Sequence, residues 1–160
     1  MRINYHTGWH RYLKEPLEEL DPAKARARQK SDNPIVAVIY DDNEDPIAFI
    51  EINLGLYGVS FLDKLRREYL QYDFVDCENG KVFMEEAIWR EFDGESDTAK
   101  CTTRYSFKTD GTLSIFKSDN TSNYEEVLSK KNVNISANWD RTPNFGQYEN
   151  ILKKERVAQP

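Results

Sequence analysis

The strongest constraint on the fold is a succession of strand-like runs between residues 34 and 143, separated by short turns and by no helical segment. Ile35–Tyr40 is an unbroken apolar run, mostly β-branched, which is typical of a buried strand. Further strand-like runs follow, over residues 47–54, 59–62, 68–75 and 82–92. Parallel strands need crossover connections of about a dozen residues, so these closely spaced runs predict an antiparallel sheet.

The turn at Asp110-Gly111 allows the register of one hairpin to be predicted. A two-residue turn would place Phe107 opposite Ser114 and Tyr105 opposite Phe116. A three-residue loop that ends at Gly111 instead pairs Phe107 with Leu113 and Tyr105 with Ile115. Because a slip of one residue would move every side chain to the other face, we expect the three-residue loop.

The turn at Asn79-Gly80 gives a second prediction of the same kind. A two-residue turn would pair carboxylates with aromatic side chains, whereas a three-residue loop gives mostly apolar pairs. These pairs are Val75 with Phe83, Phe74 with Met84, Leu70 with Ile88 and Tyr69 with Trp89. We therefore expect the three-residue loop here as well.

Helices are predicted only near the two ends of the chain. Asp21 followed by Pro22 is typical of a helix N-cap and first residue, and Ser31-Asp-Asn-Pro34 ends that helix. Towards the C-terminus, Asn144 and Gln147 have the spacing of a capping box. Four apolar residues then recur at helical spacing: Phe145, Tyr148, Ile151 and Leu152.

We therefore predict a single domain of the mainly β (α+β) class, over residues 1–160. It consists of a helical and polar N-terminal segment over 1–33, an antiparallel sheet of consecutive hairpins over 34–143, and a C-terminal helix over 144–156 that packs on the sheet. A chain of this length can bury enough surface to fold without disulfides or metal ions.

The charge and the N-terminus exclude several classes of function. The net charge of −6 argues against direct binding of nucleic acid, which needs cations facing the phosphates. Residues 1–16 contain no apolar core of a secretory signal, and no segment has the length of a membrane span. We expect a cytoplasmic protein that makes no membrane contact. Cys77 and Cys101 are expected to be free thiols, and a disulfide between them would require their flanking strands to be neighbours.

The sequence contains no motif for nucleotide binding, zinc binding or nucleophilic catalysis. The only two histidines, His6 and His10, lack a third metal ligand, and nothing marks either cysteine as an activated nucleophile. Glu85 and Glu86 are adjacent, so in a strand they would point to opposite faces and could not form an acid/base pair. We expect no enzymatic activity, no metal and no cofactor.

The candidate binding residues are the acidic residues of two loops and one tryptophan: Asp41, Asp42, Glu44, Asp45, Asp93, Glu95, Asp97 and Trp139. Charged loops keep β proteins soluble and protect sheet edges, but they also form an electronegative surface that attracts a basic partner. The tryptophan lies in a polar stretch that ends at Pro143. Such a residue is either part of the core or an exposed anchor of an interface.

Four segments carry a resemblance to a known group of proteins: 80–93 (GKVFMEEAIWREFD), 104–111 (RYSFKTDG), 136–139 (SANW) and 143–148 (PNFGQY). In these segments the chain resembles bacterial immunity proteins, the antidotes encoded beside contact-dependent growth inhibition and other polymorphic toxins. The resemblance implies one-to-one binding of a cognate toxin domain, often a nuclease. It implies an acidic protein that covers a basic, nucleic-acid-cleaving site, and it assigns no individual binding residue.

Two other interpretations of the same sequence remain open. One is a mainly β enzyme or small-ligand binder, with an aromatic-lined cavity inside a curved sheet. Its cavity would be lined by Tyr57, Tyr69, Tyr72, Trp89 and Tyr105. The other is a structural subunit that adds strands to a partner through an exposed sheet edge.

Overall fold

A computed structural model describes all of residues 1–160, and strands dominate it. The strands are β1 (Arg2–His6), β2 (Trp9–His10), β3 (Glu15–Pro16), β4 (Glu19–Leu20), β5 (Ile35–Tyr40), β6 (Pro46–Asn53), β7 (Leu56–Leu62), β8 (Glu68–Asp76), β9 (Lys81–Phe92), β10 (Ala99–Phe107), β11 (Leu113–Asp119), β12 (Tyr124–Lys130) and β13 (Trp139–Arg141). The helix α1 spans Pro22–Lys30, and a single 3₁₀ turn spans Ser136–Asn138. No helix is long and apolar enough to cross a membrane.

Eleven strands form one antiparallel sheet, in which the order along the main path is β12-β11-β10-β9-β8-β7-β6-β5-β1-β4. Every strand from β5 to β12 lies beside its sequence neighbours, which confirms the predicted antiparallel sheet of consecutive strands. The short strand β13 pairs with Lys81–Phe83 of β9, beyond the residues of β9 that pair with β10. The strands β2 and β3 form a separate small hairpin.

The helix near the N-terminus forms where the sequence predicts it. The Asp21 side chain accepts a hydrogen bond of 3.0 Å from the Lys24 backbone N–H, and Pro22 is the first helical residue. The rest of residues 1–33, however, is largely extended instead of helical. The strands β1 and β4 extend the main sheet, with Tyr5 of β1 opposite Ala37 of β5. Pairing with β5 satisfies the backbone of this segment, a long-range effect that its own composition does not reveal.

The predicted helix over 144–156 is wrong, because this segment forms a series of turns. Gly146 adopts the left-handed conformation (φ +83°), which interrupts a helix after its first residues. Only one helical turn remains, in which the Leu152 N–H donates to the Tyr148 carbonyl. The expected packing is nevertheless present, since Tyr148 and Ile151 are fully buried in the main core.

The C-terminal turns are held in place by the carboxylate of Asp140. It accepts hydrogen bonds from Arg156 at 2.7 Å, Lys153 at 3.1 Å, Asn150 at 3.2 Å and the Arg141 backbone N–H at 2.9 Å. Burial opposes the ionisation of Asp140, but these donors together lower its pKa to about 2. Arg156 also donates to the carbonyls of residues 137 and 150, so it links the chain end to β13 and its preceding turn.

The register of the β10–β11 hairpin is the predicted one. Phe107 lies opposite Leu113 and Tyr105 opposite Ile115. Gly111 closes the loop at φ +83°, and its N–H donates to the Lys108 carbonyl.

The register of the β8–β9 hairpin is predicted correctly only near its turn. Phe74 pairs with Met84 and Val75 with Phe83, but Leu70 pairs with Trp89 instead of Ile88. The register shifts between Asp73 and Phe74, so that one residue of β9, Glu85, has no direct partner. Without this bulge Glu86 would lie opposite buried Tyr72; with it, the core-facing partner of Tyr72 is Ala87. The bulge therefore moves the residues of β9 that follow Glu85 to the face opposite the one that strict alternation would give them.

The sheet buries its two faces to very different extents. One face carries a core of 23 buried residues, covered by α1 through Ala25 and by the C-terminal segment through Tyr148 and Ile151. The other face carries a cluster of only five buried apolar residues, formed by Trp9 of the β2–β3 hairpin with Val36, Val38, Phe49 and Leu62 of the sheet. The rings of Trp9 and Phe49 stack at 4.8 Å. We call this the second face; its part on β8, β9 and β10 is mostly polar, with Ile88 of β9 as a buried apolar exception.

Candidate functional site

The two predicted acidic loops lie at the same end of the sheet. The β5–β6 loop (41–45) and the β9–β10 loop (93–98) both follow strands that run in the same direction. At about 4.8 Å between neighbouring strands, the two loops are roughly 15 to 25 Å apart. The β7–β8 loop (63–67) lies between them and carries three cations, Lys64, Arg66 and Arg67. This end of the sheet is therefore a surface of mixed charge, with carboxylates on both sides of a basic loop.

In the β5–β6 loop, Asp41 shapes the turn and its neighbours face solvent. The Asp41 carboxylate accepts hydrogen bonds from the backbone N–H groups of Asn43, at 2.9 Å, and Asp45, at 3.0 Å. Asp42 is exposed and has no ion pair. Glu44 pairs with Arg2 from β1, and Asp45 lies 3.9 Å from a nitrogen of Arg66.

The β9–β10 loop is tied to its surroundings in a similar way. Arg67 donates two hydrogen bonds of 2.8 Å to the carbonyls of Gly94 and Ser96. Asp97 pairs with Lys14 from the β2–β3 hairpin, and Asp93 lies 3.7 Å from the Lys100 ammonium group. Glu95 is exposed and has no ion pair. Asp41, Asp42 and Glu95 are thus the predicted loop residues without an ion pair, and of these only Asp42 and Glu95 are exposed.

Trp139 lies away from the acidic loops. It is half-buried in β13, where its ring packs against Phe83 with centroids 4.8 Å apart. Phe83 and the β9–β10 loop are at opposite ends of β9, so they are separated by nine residues of strand, or about 30 Å. The structure therefore does not bring Trp139 and the acidic residues together into one small contact area.

The five aromatic residues proposed to line a cavity pack in or against the main core. Tyr57 and Tyr72 are buried, and the Tyr72 hydroxyl donates to the Lys154 carbonyl at 2.5 Å. Tyr69, Trp89 and Tyr105 are partly buried against the same core. None of these side chains lines the cleft described next.

A polar cleft of about 580 Å³ opens on the second face, between the β2–β3 hairpin and the loops that carry Arg66, Arg67 and Asp97. Five cations line this cleft: Arg11, Lys14, Arg66, Arg67 and Arg90. Two carboxylates, Glu68 and Asp97, line it as well. The walls also include the rings of Tyr12 and Phe92 and the polar side chains of Gln71 and Thr102.

Arg90 lies on the second face because of the bulge in β9. Its guanidinium donates to the Glu68 carbonyl at 3.3 Å and to the Gln71 side-chain oxygen at 3.1 Å. The Gln71 amide nitrogen donates in turn to the Asp73 carboxylate, at 3.1 and 3.3 Å. Burial lowers the pKa of Arg90 and raises the pKa of Asp73, so both charges are costly where they lie.

Sequence inspection missed this group of cations. Its members come from five separate positions on the hairpin, the β7–β8 loop and β9, and only the adjacent Arg66-Arg67 pair is conspicuous in the sequence. Folding of the β2–β3 hairpin across the second face brings Arg11 and Lys14 to the cleft. The alternation of residues along β9 would have placed Arg90 on the core face if the bulge had not been present.

Comparisons with protein-family models, with curated proteins and with solved structures found no match. The function is therefore inferred from the residues of this chain.

Proposed function

We propose that the chain is a toxin-neutralising immunity protein. It acts in the cytoplasm, has no catalytic activity of its own, and covers the active site of a cognate nuclease toxin domain. The observation that carries this proposal is the collection of exposed carboxylates at one end of the sheet, on the β5–β6 and β9–β10 loops. The net charge of −6 and the resemblance of four segments to immunity proteins support it.

The carboxylates of the acidic loops can exchange their present ion pairs for ion pairs with a bound protein. The ion pairs of Glu44, Asp45, Asp93 and Asp97 are all made at the surface, where such pairs contribute only about 0 to 1 kcal/mol each. Cations of a basic partner can replace them at little cost. Asp42 and Glu95 have no ion pair to give up. Long-range attraction between these loops and a basic cleft would accelerate association and align the two surfaces.

The first experiment is to co-express the chain with the product of the adjacent upstream gene, isolate the complex, and titrate the nuclease activity of that product. We expect a one-to-one complex and complete loss of the activity at equimolar ratio. If the neighbouring product is not a toxin, or if the two proteins do not associate, the proposal is wrong.

The second experiment tests the acidic end directly, with two matched variants. Glu95→Lys changes an exposed, unpaired residue of the β9–β10 loop, and Glu78→Lys makes the same change at the opposite end of β9. We expect Glu95→Lys to slow association about tenfold at low salt and less at high salt, because the effect is electrostatic. Glu78→Lys should change the rate less than about twofold. Equal effects of the two variants would contradict the use of this end.

A further inference from the structure

Arg90 is a half-buried cation in the cleft of the second face, and it has no carboxylate partner. Every other cation of the cleft has one: Arg11 pairs with Glu51 and Glu68, Lys14 with Asp97, Arg66 with Asp45, and Arg67 with Asp63. Arg90 uses only one backbone carbonyl and one amide oxygen as acceptors. A guanidinium carries five N–H donors and stays charged, so most of its donor capacity remains unused.

The nearest carboxylate is already occupied. One oxygen of Glu68 lies 3.1 Å from the Arg11 Nε in an ion pair, and the other accepts a hydrogen bond from the Ser60 hydroxyl at 2.9 Å. Only the backbone carbonyl of Glu68 reaches Arg90. Burial makes the net effect on Arg90 a lowered pKa, while the charges of Glu68 and Asp73 favour its ionised form and those of Arg11 and Arg104 disfavour it. The chain therefore holds a positive charge in the cleft with carboxylates nearby but none of them in an ion pair with it.

We propose that this cleft binds a small molecule bearing a phosphate or diphosphate group, with Arg90 as its central ligand. The fork of a guanidinium matches the oxygens of a phosphate and forms paired, charge-assisted hydrogen bonds with it. Arg66 is exposed at the cleft and only loosely paired with Asp45, so it can turn towards the same anion. Lys14 adds a further cation from the opposite wall, where it pairs with Asp97.

The surrounding structure is built to hold Arg90 in this position. The bulge in β9 directs its side chain to the second face, and Gln71 fixes the guanidinium through an amide that is itself oriented by Asp73. The volume of about 580 Å³ exceeds that of a single phosphate group, so there is room for the organic part of a ligand. The rings of Tyr12 and Phe92 give that part an apolar contact.

The test is isothermal titration of the full chain with sodium pyrophosphate, sodium phosphate and sodium acetate, at low ionic strength. We expect saturable binding of pyrophosphate with a dissociation constant of about 1 mM or lower, weaker binding of phosphate, and no measurable binding of acetate. Absence of saturable pyrophosphate binding below about 10 mM overturns the proposal. Acetate binding as tight as that of pyrophosphate overturns the assignment to phosphate.

Three variants locate the site. Arg90→Gln should weaken pyrophosphate binding about tenfold or more, because it removes the charge and the fork together. Arg66→Gln, at an exposed position, should weaken it severalfold without affecting the fold. The matched control is Arg104→Gln, which removes the same charge on the same face outside the cleft, where Arg104 pairs with Glu86.

Stability measurements separate a ligand role of Arg90 from a purely structural one. Pyrophosphate should raise the urea midpoint of the unaltered chain and of Arg104→Gln, but not that of Arg90→Gln. An equal rise in all three proteins would mean that binding occurs elsewhere, and the proposal would then be wrong. Because no toxin is present in these assays, their outcome is independent of the proposed immunity function.

Discussion

Replacing the Asp140 carboxylate tests most directly whether this group holds the C-terminal turns in place. Asp140→Asn keeps the size of the side chain but removes its charge. Arg156, whose side chain is only 4% exposed, would then have no carboxylate partner. Removing one member of a buried ion pair costs about 3 to 5 kcal/mol. Arg156 retains two carbonyl acceptors and Asp140 is 12% exposed, so we expect a loss of about 2 to 3 kcal/mol at pH 7.

The pH dependence of this loss is a sharper test than its size. The pKa of Asp140 falls from 3.8 to about 2 on folding, so its ionised form contributes about 2 kcal/mol at neutral pH. Since the folded pKa is the lower one, this contribution is complete above roughly pH 5 and disappears as the pH falls through 3.8 towards 2. About half of it remains at pH 3. The variant has no such titration at this position.

The assay is urea unfolding followed by circular dichroism at pH 7 and pH 3, on the unaltered chain, Asp140→Asn and Asp42→Asn. The difference between the first two proteins should shrink by about 1 kcal/mol between pH 7 and pH 3. Asp42 is exposed and unpaired, so its replacement should stay within about 0.5 kcal/mol at both values. A difference that is the same at both pH values, or below about 0.5 kcal/mol at pH 7, would refute the reasoning.

Two further predictions concern local backbone structure. Gly111→Ala should cost about 2 kcal/mol of stability in thermal unfolding, because the residue is at φ +83° and an added methyl group would lie 3.2 Å from the Val133 carbonyl oxygen. Gly80→Ala, at φ +76° in open space, should cost about 1 kcal/mol in the same assay. Equal costs of the two substitutions would contradict the steric part of this reasoning. Asp21→Ala should cost about 1 kcal/mol through loss of the N-cap bond to the Lys24 N–H, and Asp21→Asn, which retains an acceptor, should restore most of that stability in chemical denaturation.

Most of the sheet from β5 to β11 could be predicted, because its signals are local, whereas β12 was not predicted. The apolar run Ile35–Tyr40 is a strand over those same residues, and the Asp110-Gly111 turn sets the register of β10 and β11 as expected. Turn residues and alternating apolar positions act over only a few residues, so they can be recognised without knowledge of the rest of the fold. The N-cap at Asp21 is a signal of the same range.

The C-terminal segment shows why an apolar pattern alone does not determine a helix. The spacing of Tyr148 and Ile151 correctly indicated that both side chains are buried, because a series of turns can present the same residues to a core. The backbone groups of this segment instead find partners in the Arg156 and Tyr72 side chains. Such tertiary hydrogen bonds replace those of a helix and leave no periodic trace in the sequence.

The two candidate sites also differ in how far the sequence predicts them. The acidic loops are visible in the sequence as short runs of carboxylates, and their common location follows once consecutive antiparallel strands are assigned. The cleft around Arg90 depends on a bulge opposite Asp73 and on a hairpin that folds across the second face. Local turn chemistry and alternation thus predicted most of the strands from β5 to β11 and their antiparallel pairing in hairpins. Only the tertiary structure decided which face Arg90 occupies and which charges remain unpaired, because burial and pairing depend on residues far apart in the chain.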